Sequence, residues 1–284
     1  MLMHRIKIVT NDSGPEAFFA AESARNVARV LNAPVVHLQE NGWLSLVDEL
    51  KEDTIVFLAT HGGFGEDGTL QAALEARQIM HTHSAAWTCS VMTDKHMSKM
   101  LYLDLGIDTP AWTYRGHQFG RHSDSDEWVR KPIAGGSKNG VSLSVCAGAE
   151  DRMLYEVYVP GRLEVAISVL GNDAPIALPP LIRTRRRDRL GQLVRSNACL
   201  SGSLANSCRD AALAIHKALR ARGVTKTDFV ISANGKALAL ETDALPALGP
   251  KRSAASQARE IGLDYEEFVW QLATDHGRFN VAGR

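Results

Sequence analysis

Three acidic residues late in the chain could together bind a divalent metal ion. Asp228, Glu241 and Asp243 flank a turn at 232–236, whose Asn-Gly pair is typical of a tight β-hairpin. Side chains alternate along a strand, so Glu241 and Asp243 share one face, and the hairpin can bring Asp228 to the same end of the ladder. Mg²⁺ prefers carboxylate oxygens together with phosphate oxygens and water. The sequence therefore indicates a magnesium site, with a solvated hairpin of scattered acids as the alternative.

Two glycine-rich segments and two lysines could contact an anion. The first segment, ATHGGFGEDGTLQ (59–71), follows an apolar strand and can present backbone N–H groups to an anion. The second, at 135–140, follows Lys131 and can fold over phosphates, while Lys95 lies just after a helix start at 93–94. Each feature alone also fits an ordinary β–α loop or a solvated surface lysine. Their meaning therefore depends on their combination.

The composition excludes several classes of protein. The 284 residues are 45% hydrophobic and 23% charged, which is typical of a globular chain. Lys and Arg number 32, and so do Asp and Glu, so no net charge draws the chain toward nucleic acid or an anionic membrane. No apolar run reaches the roughly 18–20 residues of a membrane span, and the N-terminus lacks the apolar core of a signal peptide. The four cysteines show no metal-type spacing, so we expect reduced thiols in a bacterial-type cytoplasm.

Alternating strand and helix patterns predict an α/β fold of three units. Residues 1–85 contain apolar strands at 4–10, 35–38 and 54–59 and a helical pattern at 16–31, which predicts a parallel sheet covered by helices. Residues 86–170 open with a helix at 94–105 and continue with strands, the last at 163–170. Residues 171–284 contain a basic loop at 183–189, a helix at 208–222, the acidic hairpin and a last helix at 265–274.

Taken in order, several segments resemble the D-alanine–D-alanine ligases of the ATP-grasp superfamily. They are HGGFGEDGTLQ (61–71), TDKHMSK (93–99), RKPIAGGSKNGVSL (130–143), VYVPGR (157–162), TDFVISANGKALALETDALP (227–246) and GLDYEEFV (262–269). The resemblance covers nearly the whole chain. It implies an ATP-grasp fold with an N-terminal α/β domain at 1–85, a central ATP-binding subdomain at 86–170 and a C-terminal subdomain at 171–284. ATP is then expected between the central and C-terminal sheets.

The resemblance also implies which residues bind the nucleotide and the metal. Lys95 and Lys131 would contact the α- and β-phosphates, and the loop with Gly136 and Ser137 would close over them. The residues bordering adenine would be Glu156, Val157 and Val159. Two Mg²⁺ ions would be held by Asp228, Glu241 and Asp243. This suits phosphoryl transfer, in which the protein mainly positions groups and neutralises charge.

At the amino-acid end, the resemblance implies four further roles. Glu16 would bind the ammonium group of the first substrate, and Ser137 would help Glu16 to order that end of the site. His61 would lie near the donor carboxylate. Lys226 would stabilise the oxyanion of the tetrahedral intermediate. The γ-phosphoryl group would move to a substrate carboxylate, and an amine would attack the acyl phosphate to give an amide, ADP and phosphate.

The chain departs from the family pattern at several positions. Lys226 stands where the family has arginine, Asp243 where it usually has asparagine, and Leu163 where it has the glutamate that contacts ribose. The segment 181–202 replaces a loop that carries a tyrosine and a lysine, and it has several arginines and no aromatic residue. Its arginines either are solvated or form a lid that contacts the γ-phosphate or an anionic acceptor. The segment 246–253 differs too, and Arg252 or Ser253 could face the second substrate's carboxylate.

These departures leave three functions open. We favour a specialised ligase that couples a small, D-configured amino acid to a different acceptor, or closes a ring as the D-cycloserine-forming ligases do. The alternative is a genuine D-alanine–D-alanine ligase that serves cell-wall synthesis. The third is a nucleotide-binding protein without catalysis. In each case the expected partners are small molecules and not nucleic acid or membrane, and the resemblance implies a homodimer.

Overall fold

Three sheets with flanking helices make up the computed structural model, which describes residues 5–14, 16–39, 43–51, 53–123, 127–136, 139–160, 163–184 and 200–274. The first sheet is parallel, with the strand order β2-β1-β3-β4. Its strands are β1 (Ile6–Asn11), β2 (Val35–Leu38), β3 (Ile55–Leu58) and β4 (Met80–His81). Its helices are α1 (Ala17–Leu31), α2 (Trp43–Asp48) and α3 (Thr69–Ala76). Every residue of β3 is buried, as expected of a strand covered on both faces.

The second sheet is antiparallel and follows a pair of helices. The helices are α4 (Ala86–Thr93) and α5 (Lys95–Asp104), and the strand order is β6-β5-β9-β7-β8. The strands are β5 (Trp112–Tyr114), β6 (His117–Phe119), β7 (Trp128–Pro132), β8 (Ser142–Ser144) and β9 (Met153–Val157). Asp94 caps α5, since its side chain accepts a hydrogen bond from the Met97 N–H at 2.9 Å. The helix start inferred from the sequence is confirmed.

The third sheet carries the acidic hairpin. Its strands are β10 (Leu163–Leu170), β11 (Ile176–Ala177), β12 (Leu181–Thr184), β13 (Val224–Ile231) and β14 (Ala237–Asp243), in the order β11-β10-β13-β14 with β12 paired to β10. Its helices are α6 (Gly202–Ala218), α7 (Ser253–Glu260) and α8 (Tyr265–Thr274). The sequence placed β10 in the central unit, but this strand pairs along its whole length with β13. The sequence also started α6 too late, because Ser201 caps the helix by accepting from the Leu204 N–H.

The first and third sheets share their apolar cores. One cluster of buried side chains contains Val9 and Leu58 of the first sheet together with Val165 and Phe229 of the third. A second cluster joins the other face of β1 and β3 to residues of β10, β13, α7 and α8. These shared clusters fix the position of the acidic hairpin relative to the first sheet. Within the described residues, no helix is both long and apolar enough to cross a membrane.

Candidate active site

The three predicted metal ligands lie on one face of the hairpin formed by β13 and β14. Asp228 pairs with Glu241 across the two strands, and Lys226 pairs with Asp243. Residues two apart on a strand point the same way, so all four side chains share this face. The hairpin therefore brings the acids together as the sequence indicates, and it adds an ammonium group among them.

Lys226 is the counter-ion of these acids in the structure. Its Nζ lies 2.6 Å from Asp243 Oδ2 and 3.1 Å from Asp228 Oδ2. Burial alone would lower the pKa of Lys226, but the negative charges of Asp228 and Asp243 outweigh burial and raise that pKa above its usual range. Lys226 is therefore charged at any physiological pH. A lysine makes these contacts as a point charge, without the planar fork of an arginine.

The donor chemistry of this face fits a hard divalent cation. Burial and the charge of Asp243 raise the pKa of Glu241, and the positive charge of Lys95 opposes them. An added cation would relieve the same repulsion. Within the described residues, no group of three or more His, Cys, Asp or Glu side chains is arranged to hold a metal ion by itself. Mg²⁺ commonly keeps several waters and takes its remaining ligands from substrate phosphates, so these carboxylates could supply part of a shell.

Three lysines of α5 and the central sheet lie near one another, and two of them, Lys95 and Lys131, act electrostatically on Glu241 of the hairpin. Lys131 on β7 donates to Glu156 Oε1 at 2.9 Å, and Lys99 Nζ lies 2.5 Å from Glu156 Oε2. Burial would raise the pKa of Glu156, but Lys131 and Lys99 together lower it, so this carboxylate is charged. Lys95, at the first turn of α5, donates to the Gly135 carbonyl at 2.5 Å. Two lysines share one glutamate, so this cluster carries more positive than negative charge, as the binding of an anionic ligand requires.

Lys99 is a residue of this site that the sequence reasoning missed. Its side chain is fully buried, and its Nζ also donates to Thr109 Oγ1 at 2.6 Å and to the Pro110 carbonyl at 3.1 Å. Burial lowers its pKa to about 8. The signal was its spacing, because a lysine four residues after Lys95 lies on the same face of a helix.

Glu16 lies between the two glycine-rich loops. A Cβ atom at Gly62 would lie 3.0 Å from Glu16 Oε2, and one at Gly136 would lie 3.1 Å from both carboxylate oxygens. Gly62 has a φ of 70° and a ψ of 160°, a conformation that is essentially restricted to glycine. The structure thus brings Glu16 and Gly136 together, while the predicted pairing of Glu16 with Ser137 stays a prediction. Ser137 lies outside the described residues.

His61 is held beside Glu16 by a network of buried hydrogen bonds. Its Nε2 lies 2.9 Å from Ser23 Oγ, and Asn11 bonds to both its backbone N–H and its carbonyl. Ser23 Oγ also accepts from the Leu248 N–H at 2.9 Å, which ties α1 to the loop after β14. Burial lowers the pKa of His61 to about 4, so the imidazole is neutral near pH 7.

Glu66 is a second residue that the sequence reasoning left as an ordinary loop acid. Its Oε2 accepts the Gly62 N–H at 2.7 Å, after the single 3₁₀ turn Gly63–Gly65 brings the chain back. Burial raises its pKa to about 8, and the charge of Asp243 adds to that effect. This carboxyl group therefore carries a proton at neutral pH and lies between the Glu16 end of the site and the hairpin. An acid four residues after Gly62 in a glycine-rich turn was the available signal.

Other predicted positions are only partly described. Val157 ends β9, where its N–H donates to the Ala111 carbonyl at 2.8 Å, and Val159 follows two residues later. Leu163 and Glu164 are neighbours on β10 and so point to opposite faces, which leaves the ribose contact a prediction. The basic segment lies outside the described residues from 185 to 199.

Arg252 occupies the N-cap position of α7 and reaches across to α1. Its guanidinium group forms an ion pair with Glu22 and lies over the ring of Phe19, 4.8 Å from the ring centre. Gly249 packs against both ion-pair partners, since a Cβ there would lie 3.1 Å from Glu22 Oε1. The altered loop after β14 is therefore anchored to the first domain and not left open to solvent.

Comparisons with known proteins agree with this arrangement. No protein-family model matches the chain. A protein of Dinoroseobacter shibae named D-alanine–D-alanine ligase is 32% identical, with 77% of each chain covered. One of Bartonella henselae with the same name is 28% identical, over 95% of this chain and 97% of its own.

Solved structures resemble the fold over almost its whole length. The D-alanine–D-alanine ligase of Bacillus anthracis in complex with ATP superposes with a TM-score of 0.78 at 20% identity, covering 95% of this chain and 96% of that one. The enzyme of Coxiella burnetii gives a TM-score of 0.75 at 18% identity, with 95% and 94% covered. The fold expected from the sequence is confirmed.

Proposed function

The chain belongs to the D-alanine–D-alanine ligase family, and we propose that it is itself an ATP- and Mg²⁺-dependent D-alanine–D-alanine ligase. It has the ATP-grasp fold of that family and is a ligase that forms a C–N bond. One observation carries the proposal. The positive charges of Lys95 and Lys131 act on Glu241 of the β13–β14 hairpin, and Glu16 lies against Gly136 of the glycine-rich loop whose Gly135 carbonyl accepts from Lys95.

On the nucleotide side, the residues of this cleft position the triphosphate of ATP. Lys95 and Lys131 would contact its phosphates, and Gly136 lies in the loop that would cover them. Asp228, Glu241 and Asp243 would hold Mg²⁺. When bound, Mg²⁺ would supply positive charge that stabilises the phosphoryl group during transfer.

On the amino-acid side, Glu16 would bind the ammonium group of the first D-alanine. A carboxylate oxygen of this first D-alanine attacks the γ-phosphorus of ATP. The bond between the γ-phosphorus and the oxygen that links it to the β-phosphate breaks, and an acyl phosphate and ADP form. The neutral amine of the second D-alanine then attacks the acyl carbon, phosphate leaves with the electrons of the broken C–O bond, and the proton that the nitrogen loses passes to phosphate or solvent. Lys226 would stabilise the oxyanion of the intermediate between these steps, and the neutral His61 would lie beside the donor carboxylate without adding charge.

Our preference from the sequence for a specialised ligase with another acceptor is not supported. The relatives that match carry the name D-alanine–D-alanine ligase, and one of them covers nearly the whole chain. That preference rested on the altered segments 181–202 and 246–253, and Arg252 of the second segment is engaged by Glu22 and Phe19. The genuine ligase, our alternative, is therefore the better-supported function.

The test is release of phosphate from Mg·ATP with a panel of D- and L-amino acids, followed by mass spectrometry of the products. We expect release with D-alanine and a product with the mass of D-alanyl-D-alanine. Turnover only with a different amino acid would restore the specialised ligase. Binding of Mg·ATP without turnover on any pair would leave a nucleotide-binding protein.

The homodimer implied by the resemblance remains a prediction. Light scattering at several protein concentrations measures the mass directly. A mass equal to one chain of 30.9 kDa at every concentration would exclude the dimer.

A further inference from the structure

A chain of buried hydroxyl groups lies beneath the acidic face of the hairpin. Thr242 separates Glu241 from Asp243 on β14, so its side chain points to the opposite, buried face. Its Oγ1 lies 3.1 Å from Thr227 Oγ1 on β13 and 2.8 Å from the Tyr102 hydroxyl. All three side chains are buried. Polar groups in such a place are retained only when they are bonded to one another.

Tyr102 belongs to the same helix that presents Lys95 to the hairpin. The two residues are seven apart on α5, which puts them on one face of the helix about 10 Å from each other along its axis. Lys95 acts electrostatically on Glu241 from the cleft side. Tyr102 binds the neighbouring Thr242 from below. One helix therefore contacts β14 through Tyr102 and carries the charged group of Lys95 that acts on the acid next to it.

The backbone of β14 needs this support, because its ladder is interrupted beside the acids. Asp228 pairs with Glu241, but Phe229 pairs with Ala239, so Leu240 is left as a bulge. A bulge bends a strand and re-aims the side chains next to it. Among the strands that the structure describes, β14 is also at the edge of its sheet, with β13 as its one partner. The Ala239 N–H donates to the Asp108 carbonyl at 2.8 Å, but Ala239 lies on the other side of the bulge from Glu241 and Asp243.

We propose that Tyr102 is a positioning residue for the metal-binding hairpin. Through Thr242, its hydroxyl group fixes the direction in which Glu241 and Asp243 point, at a set distance from Lys95 on the same helix. The inference rests on the proposed function, since it takes these acids as ligands of Mg²⁺ in the nucleotide complex. It assigns to Tyr102 a role in metal affinity and not only in packing.

The variant Tyr102→Phe removes the hydroxyl group and keeps the ring. We expect it to bind Mn²⁺, a paramagnetic substitute for Mg²⁺, about tenfold more weakly in the presence of a non-hydrolysable ATP analogue, as is common when an outer partner of a metal ligand is lost. Electron paramagnetic resonance measures free Mn²⁺ without any turnover. Tyr155→Phe is the matched control, because the Tyr155 hydroxyl bonds Glu150 in the exposed loop before β9 and not a residue of the hairpin, and the Mn²⁺ affinity of this variant should equal that of the parent.

A double-variant cycle separates positioning from packing. Thr242→Val should weaken Mn²⁺ binding at least as much as Tyr102→Phe, since it also removes the contact with Thr227. The two changes together should cost little more than Thr242→Val alone, because both break the bond between Tyr102 and Thr242. Parental Mn²⁺ affinity in Tyr102→Phe, with or without a lower melting temperature, would refute the proposal while leaving the ligase assignment intact. Fully additive effects would refute it as well. If the parent chain itself bound no Mn²⁺ with the nucleotide, the metal assignment would fail together with this inference.

Discussion

Replacing Lys226 with methionine tests whether this lysine neutralises the acids of the hairpin. The change removes the ammonium group that lies 2.6 Å from Asp243 and 3.1 Å from Asp228. Methionine retains much of the apolar stem of lysine, so packing changes little. The carboxylates are then left facing one another without their nearest counter-ion. We expect a less stable chain whose stability depends on added metal.

The size of the effect follows from the burial of these groups. Breaking a buried ion pair by removing one partner costs about 3–5 kcal/mol. The side chains of Lys226, Asp228 and Asp243 keep 14%, 20% and 30% of their surfaces exposed. Solvent screens such partly open pairs, so we expect the lower end of that range, about 3 kcal/mol.

The assay is urea unfolding of parent and variant, with a chelator and with millimolar Mg²⁺. In chelator, Lys226→Met should lose about 3 kcal/mol of unfolding free energy. In Mg²⁺ it should recover more stability than the parent gains, since a cation that binds the native state stabilises it. Lys236→Met is the control, because Lys236 lies on the same hairpin but pairs with Asp108 at 3.5 Å on the exposed surface. Equal urea midpoints for the parent and Lys226→Met in chelator would refute the reasoning.

Three further predictions follow from the site and its surroundings. Glu241→Gln should abolish Mg²⁺-dependent phosphate release while leaving the melting temperature within a few degrees of the parent's, and retained turnover in a phosphate assay would remove Glu241 from the metal site. Gly136→Ala should raise the KM for the donor amino acid about tenfold, and by more than it raises the KM for ATP, because the added Cβ would lie 3.1 Å from the Glu16 oxygens. Steady-state kinetics with each substrate varied would show an equal rise in both KM values if this reasoning fails. Burial lowers the pKa of His216 from 6.5 to about 4. Below pH 6.5 the unfolded chain therefore binds a proton that the native chain does not, so the free energy of unfolding decreases as the pH is lowered. His216→Gln should remove about 2 kcal/mol of the loss between pH 6.5 and 5, and urea midpoints that fall equally in both proteins would contradict this.

Local patterns in the sequence were sufficient for the elements and for the hairpin. The apolar run of β3, the cap at Asp94 and the Asn-Gly turn each fix a structure within a few residues, and each was found as predicted. The approach of Asp228 to Glu241 follows from the hairpin alone. These features depend on spacing and turn chemistry, which a single chain displays.

Features that depend on distant partners could not be predicted in this way. β10 pairs with β13, some sixty positions later, and nothing near β10 indicates that partner. The burial of Lys99 depends on Glu156, and the pKa of Glu66 depends on Asp243 in another domain. The bulge at Leu240 likewise leaves no local signal in an apolar strand. The electrostatic environment of the site therefore could be described only from the three-dimensional structure.

The shared core of the first and third sheets has a consequence for how the chain folds as it is made. Ile8 and Phe57 lie in one cluster with Phe268 and Leu272 of α8. At about 5–20 residues per second, a ribosome needs on the order of ten seconds or more to produce the residues between β3 and α8. During that interval one apolar face of the first sheet has emerged without its final cover and is open to chaperones or to aggregation. Synthesis of α8 is the step that lets the first sheet complete its native packing.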